Sequence, residues 1–237
     1  MTQINSNISN NKQIIDNYKV DIERNKKYIN NYNIIFNLND KILNDLSESF
    51  NHITNNKILI DSNIIKNNFE LAQINNGIKH QLSKNIKNIN LLYRCTRDGD
   101  SISSFHSKSD NHNNLLFLIE TAENKKFGGF TSLYYKSSGG YQKDDYAFIF
   151  SLNNKENYYI IKGKDALCLD NRGIIFCRTS NNGSEFHIMN SEPCLTAYNS
   201  YDDTGNNNCY DYGGRKHILA GKRIFVVLEF EVFQITL

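Results

Sequence analysis

A chain of 237 residues, 39% of them apolar, has room for one ordinary domain and an extension. Its 27 basic and 25 acidic side chains leave a net charge of +2, split as 11 against 8 over residues 1–90 and 16 against 17 beyond, so neither part is a cationic surface for nucleic acid. The longest apolar runs are a few residues, which excludes a membrane-spanning helix, and the Met1-Thr2-Gln3 start lacks the basic and apolar stretches of a secretory leader.

Residues 1–76 hold no Pro and no Gly, and 23 of the 38 Asn lie in the first 90 residues. A heptad runs through this stretch. One seam register is Ile8, Ile15, Ile22, Ile29, Phe36, Leu43 and Phe50. The other is Ile4, Asn11, Tyr18, Asn25, Tyr32, Asn39, Leu46 and Ile53. The steps alternate between three and four residues, the period that winds helices into a left-handed coil. A coiled coil over residues 4–56 that self-associates is expected. The three polar seam positions are all Asn, a residue that fixes register and partner number at a cost in stability.

The period breaks at Lys57, which would sit in the seam, and we place a boundary near residue 60, giving 1–59 as coiled coil and 60–237 as a folded domain. Asp61-Ser62-Asn63 offers residues able to cap a helix. Phe69, Leu71, Ala72, Ile74, Ile78 and Leu82 then follow a helical period, with a bend or early end expected at Gly77. After residue 88 the pattern turns to strands, expected at Asn90–Cys95, Asn114–Thr121, Phe127–Tyr135, Tyr146–Leu152, Tyr158–Ile161, Gly173–Cys177, Phe186–Met189 and Ile224–Gln234. Turn chemistry separates them at Ser138-Gly139-Gly140, Asn153-Asn154 and Asn181-Asn182-Gly183, and residues 199–215 read as a long loop. Many short antiparallel strands in this length predict a β-sandwich. In the last strand, simple alternation puts Val226, Leu228, Phe230 and Val232 on a core face and Glu229 and Glu231 on the opposite one.

Several groups invite a chemical reading. His106 follows Phe105 on a short helical stretch, with Cys95, Asp98 and Asp110 nearby in sequence. No nucleophile motif surrounds any Cys and no Gly-x-Ser-x-Gly is present, so a structural His106 bonded to loop backbone is expected. Arg94, Arg97 and Asp98 cluster at a strand end, best read as a fold-fixing ion pair, with Gly99 supplying a positive-φ turn. Gly128 and Gly129 do not open a helix and are not followed by Lys-Ser/Thr, so they are tight turns or a bulge rather than a phosphate loop. The five Cys (Cys95, Cys168, Cys177, Cys194, Cys209) are odd in number and lack Cys-x-x-Cys spacing. Buried free thiols in a reduced compartment are the simple expectation, with no metal and no cofactor.

The run 91–99 (LLYRCTRDG), Phe105-His106 and the run 127–132 (FGGFTS) together resemble the opening of a TLDc domain, the module of the oxidation-resistance family. Leu219-Ala220-Gly221 and the run 225–235 (FVVLEFEVFQI) resemble its ending, so the likeness spans roughly residues 62–237 in the family's order. The family often has Cys where this chain has Ser109. The resemblance implies an α+β fold, an antiparallel β-sandwich flanked by short helices, here preceded by the coiled-coil helix. It implies a cytoplasmic, non-enzymatic protein-binding module linked to oxidative-stress protection. It also implies binding to subunits of the vacuolar-type proton ATPase and promotion of its disassembly or autoinhibition. Glu229 and Glu231 are the candidate partner surface under this reading. Arg94, Arg97, Asp98, Gly99, Phe105, His106, Gly128 and Gly129 are family-motif residues with structural roles. The rival readings are a thiol- or His-dependent enzyme acting on peroxide or another small molecule, and a structural adaptor working through its coiled coil.

Overall fold

The computed structural model describes residues 2–178, 184–188, 200–204 and 209–237 and, in the first helix, side chains from Lys12 onward. The expected turn at Asn181-Asn182-Gly183, the end of the expected strand at Met189, and Cys194 lie outside the described residues, as do the side chains of Ile4, Ile8 and Asn11. Helix α1 runs without interruption over Thr2–Asn55, as a stretch free of Pro and Gly allows. The chain divides into two compact units, Met1–Ser47 and Glu48–Leu237.

The second unit begins earlier than residue 60, because the last turns of α1 carry its side chains. Ser49, Ile53 and Ile58 are buried. Phe50 stacks on Phe69 with ring centroids 4.5 Å apart, and His52 Nε2 donates to the Ile86 carbonyl at 2.8 Å. Helix α2 (Asn68–Leu82) starts where Asn67 accepts from the Glu70 amide and Glu70 accepts in return from the Lys66 amide. Gly77 does not end it, since the helix runs on to Leu82. A Cβ there would come within 2.5 Å of the Phe148 ring, so glycine lets the helix press onto the strand below.

Among the described residues, two six-stranded antiparallel sheets follow. The first contains β1 (Asn88–Arg94), β2 (Leu115–Thr121), β3 (Lys126–Thr131), β5 (Phe148–Ser151), β6 (Glu156–Tyr159) and β12 (Val227–Thr236), ordered β1-β12-β2-β3-β5-β6. The second contains β4 (Gly140–Gln142), β7 (Leu167–Leu169), β8 (Ile175–Arg178), β9 (Ser184–His187), β10 (Ser200–Asp202) and β11 (Ile224–Phe225), ordered β11-β10-β9-β8-β7-β4. Short helices α3 (Cys95–Asp98) and α4 (Ile102–Ser109) follow β1. The fold is thus the expected α+β sandwich with a long helix in front.

The central strand β2 shows why these residues make this sheet. Leu115, Phe117 and Ile119 enter the core between the sheets, where Phe117 meets Phe176 edge-on. Leu116 and Leu118 point the other way and are also buried. A strand covered on both faces reads as a continuous apolar run. Gly128 and Gly129 sit inside β3, not in a turn. A Cβ on Gly128 would lie 1.9 Å from the Phe117 carbonyl oxygen, and one on Gly129 would lie 2.4 Å from the Phe176 ring. Neighbouring backbone and rings occupy the space that a side chain would fill.

The strands also differ from the expected ones in number, length and regularity. The strands β4, β7 and β10 have three residues each and were not legible; β10 lies inside the stretch read as a loop, and Tyr210 there bridges to Ile160. β3 ends at Thr131 rather than running to 135, because the buried Asp144 carboxylate gathers Thr131 Oγ1, the Ser132 amide and hydroxyl, and the Tyr146 amide into a turn. The final strand is not one alternating ribbon. Pairing of β12 with β2 shifts register between Val227 and Glu229, a bulge that leaves Leu228 unpaired and 45% exposed. Past the bulge the alternation is displaced by one, so Val227 joins Phe230 and Val232 in the inter-sheet core.

Candidate functional site

Segments distant in the chain decide the surroundings of the two carboxylates on β12. Glu229 is 5% exposed and Glu231 fully buried, so the expectation that they present an acidic stripe to a partner is overturned. They face the chain's own segment 61–63, which lies across β12. Glu231 Oε1 accepts from Arg94 Nε at 2.7 Å and from the Asn63 amide at 2.8 Å, while Oε2 accepts from Ser62 Oγ. Glu229 accepts from the Thr96 amide and hydroxyl, from Asn63 Nδ2 at 3.1 Å, and from the Phe230 amide. Ser62 Oγ in turn accepts from the Ile64 and Ile65 amides, and Arg94 Nη2 donates to Asp61. Burial works against the Arg94 charge. Its hydrogen bonds to Glu231 and Asp61 outweigh that and hold the guanidinium above its ordinary value.

A carboxylate whose oxygens already accept three donors is engaged in holding other segments of the chain rather than presented to a substrate. The arrangement is therefore a clasp. It ties the segment before α2 to β1, α3 and β12 through charge-assisted bonds formed largely out of water. Sequence reasoning named both glutamates and Arg94 but not Ser62, Asn63 and Thr96 as their partners. The hint was the Asp61-Ser62-Asn63 triple, read only as a helix cap.

The other motif residues form a second structural knot. Arg97 grips Asp98 with Nε and Nη2, and this fork holds the Asp98 carboxyl below its ordinary value against the effect of burial. Asp98 also accepts from the Arg94 amide at 2.9 Å. Gly99 has φ +98°, the turn conformation expected of it, and its carbonyl accepts from Tyr93 Oη. Phe105 is fully buried and packs edge-on against Tyr93 and Tyr135. His106 Nε2 donates to the Arg172 carbonyl at 2.7 Å, and Nδ1 lies 2.8 Å from Asp110 Oδ1. Asp110 further accepts from the Ser137 amide. His106 thus bolts α4 to the loop after β7 and bonds to no Cys among the described residues. Ser109, where the family often has Cys, is fully buried with its hydroxyl unpartnered among the described residues.

The thiols differ from expectation at one point: Cys177 and Cys209 are joined in a disulfide, with Cα atoms 6.0 Å apart. Cys168 is a free, buried thiol, and Cys95 is buried. Burial, followed by the charge of Asp170, pushes the Cys168 thiol up to about 11, the reverse of an activated nucleophile. His187, also buried, is pushed down to about 4 by burial and then by Arg172, and its Nε2 has no partner among the described residues. Asp202 went unnoticed in the sequence. Its buried carboxylate accepts from the amides of Thr204, Leu219 and Ala220 and from Thr204 Oγ1, and so shapes the Leu219-Ala220-Gly221 turn. Burial raises its pKa despite those bonds. Among the described residues, no group of His, Cys, Asp or Glu is placed to hold a metal ion, and no helix is long and apolar enough to cross a membrane.

Compared with known proteins, residues 59–236 match the family model of the TLDc domain. No curated protein matches the chain.

Proposed function

This chain belongs to the TLDc family, and we propose that its folded domain is a non-enzymatic, cytoplasmic protein-recognition module linked to oxidative-stress protection. The partner class is a set of subunits of the vacuolar-type proton ATPase, and the action is to promote its disassembly or autoinhibition. What supports a binding role over catalysis is the state of the groups that invited chemistry. His106 is spent on Asp110 and a backbone carbonyl, Glu229 and Glu231 on the clasp, and the Cys168 thiol is held protonated. Each of these groups is occupied by the fold rather than presented as an acid, base or nucleophile.

The experiment adds purified full chain to vacuolar membranes and follows ATP-driven acidification together with release of ATPase subunits into the supernatant. A chain lacking residues 1–47 is tested in parallel; the cut follows the compact unit rather than residue 60, since Ser49, Ile53 and Ile58 belong to the domain. Release or inhibition by both forms is expected. Loss of the effect in the shorter chain would instead assign the work to α1. Peroxide consumption by the purified protein, without effect on the membranes, would favour the enzyme reading.

A further inference from the structure

Over residues 12–47, helix α1 carries a stripe of large side chains facing solvent. Ile15, Ile22, Ile29, Phe36 and Leu43 are each more than half exposed, and so are Tyr18 and Tyr32 between them. Ile14, Tyr28, Ile35 and Ile42 widen the stripe along one flank. A long helix with such a seam needs a partner.

We propose that this seam binds further copies of the same chain, parallel and in register. This goes beyond the domain's recognition role and stands or falls separately from it. The seam is complementary to itself. Aligned in parallel, Asn25 meets Asn25, Asn39 meets Asn39, and Tyr18 and Tyr32 meet their own copies. Each Asn amide then finds both a donor and an acceptor across the seam. In the antiparallel alignment that overlaps the whole seam, Asn39 faces Ile15 and Asn25 faces Ile29, and neither amide has a partner in an apolar layer. Sliding a parallel pair by one heptad sets Asn25 against Tyr18 or Tyr32, and Asn39 against Tyr32 or Leu46, rather than against another Asn. Only the in-register parallel arrangement satisfies every polar layer. An unrelated helix would need its own Asn at the same spacing. Flanking charges do not decide the matter. The parallel form brings Asp21 opposite Lys26, while the antiparallel form sets Lys12 opposite Asp40 but Lys26 opposite Lys26.

The full chain tests this. Sedimentation at tens of micromolar should give an oligomer, and a monomer overturns the proposal. Orientation is read by mild oxidation of a Tyr18→Cys chain, with the unsubstituted chain as control for the native thiols. Several-fold more covalent dimer than in the control is expected. A second chain carrying Phe36→Cys and a larger tag is then mixed in and allowed to exchange, because Tyr18 faces Phe36 only in the antiparallel form. No hybrid cross-link should appear. A hybrid, or an oligomer in which Tyr18→Cys does not cross-link to itself, refutes the parallel register. A Tyr32→Cys chain repeats the measurement should the first variant fold poorly.

Discussion

Replacing Glu231 by Gln removes one charge and changes the shape hardly at all. The wild-type carboxylate presents two acceptor oxygens to three donors: Arg94 Nε, the Asn63 amide and Ser62 Oγ. An amide has one acceptor and one donor group. If its oxygen keeps Arg94 and Asn63, its nitrogen points at Ser62, whose oxygen is already engaged by the Ile64 and Ile65 amides. Arg94 retains Asp61, but that carboxylate is largely in water, whereas the Arg94 side chain is only 11% exposed. Breaking a buried pair from one side costs roughly 3–5 kcal/mol, because the remaining charge stays buried. Allowing for the surviving oxygen and for Asp61, Glu231→Gln should cost about 3 kcal/mol. In a domain of this size that lowers Tm by about 6–12 °C. Urea unfolding of the chain lacking residues 1–47 is the assay, with the loss expected in the midpoint at constant slope. Arg94→Met and the double variant complete a cycle, and a coupling energy above about 1 kcal/mol is expected for groups in contact. An unchanged midpoint in Glu231→Gln would refute the clasp and return the two glutamates to the solvated face that simple alternation suggested.

The bulge predicts a sharp contrast within one strand: Phe230→Ala should cost about 3–5 kcal/mol, since Phe230 packs on Tyr93 and Phe105, whereas Leu228→Ala should stay within about 0.5 kcal/mol by the same unfolding assay. His187 titrates at about 4 in the fold against an ordinary 6.5. The folded value is the lower one, so its contribution is intact above pH 6.5 and is lost as pH falls towards 4, by about 3 kcal/mol in all. His187→Leu should therefore flatten the stability–pH curve in that window, and an equally steep curve would refute the assignment. Reduction of the disulfide opens a link between residues 32 apart. The chain-entropy relation gives about 4 kcal/mol for such a loop, to be checked by unfolding with and without a thiol reductant.

The sequence alone determined the long helix, the sandwich class and the family. Each rests on a pattern repeated along the chain: a 3.5-residue period without Pro or Gly, alternating strands, and motifs spread from Leu91 to Ile235. It also placed a fold-fixing ion pair within the cluster Arg94, Arg97 and Asp98 and a turn at Gly99, because those groups act on near neighbours. Tertiary structure decided whatever depends on partners distant in the chain. Glu229 and Glu231 look solvent-facing by alternation, and the crossing of segment 61–63, with Arg94 and Thr96, buries them. Gly77, Gly128 and Gly129 read as breaks or turns, yet each makes room for another segment: Phe148, the Phe117 carbonyl and Phe176. Cys177 meets Cys209 because strand order, not spacing, brings their backbones to 6.0 Å. Local periodicity is written in consecutive side chains, whereas a close approach between remote segments depends on packing that no single stretch of sequence contains.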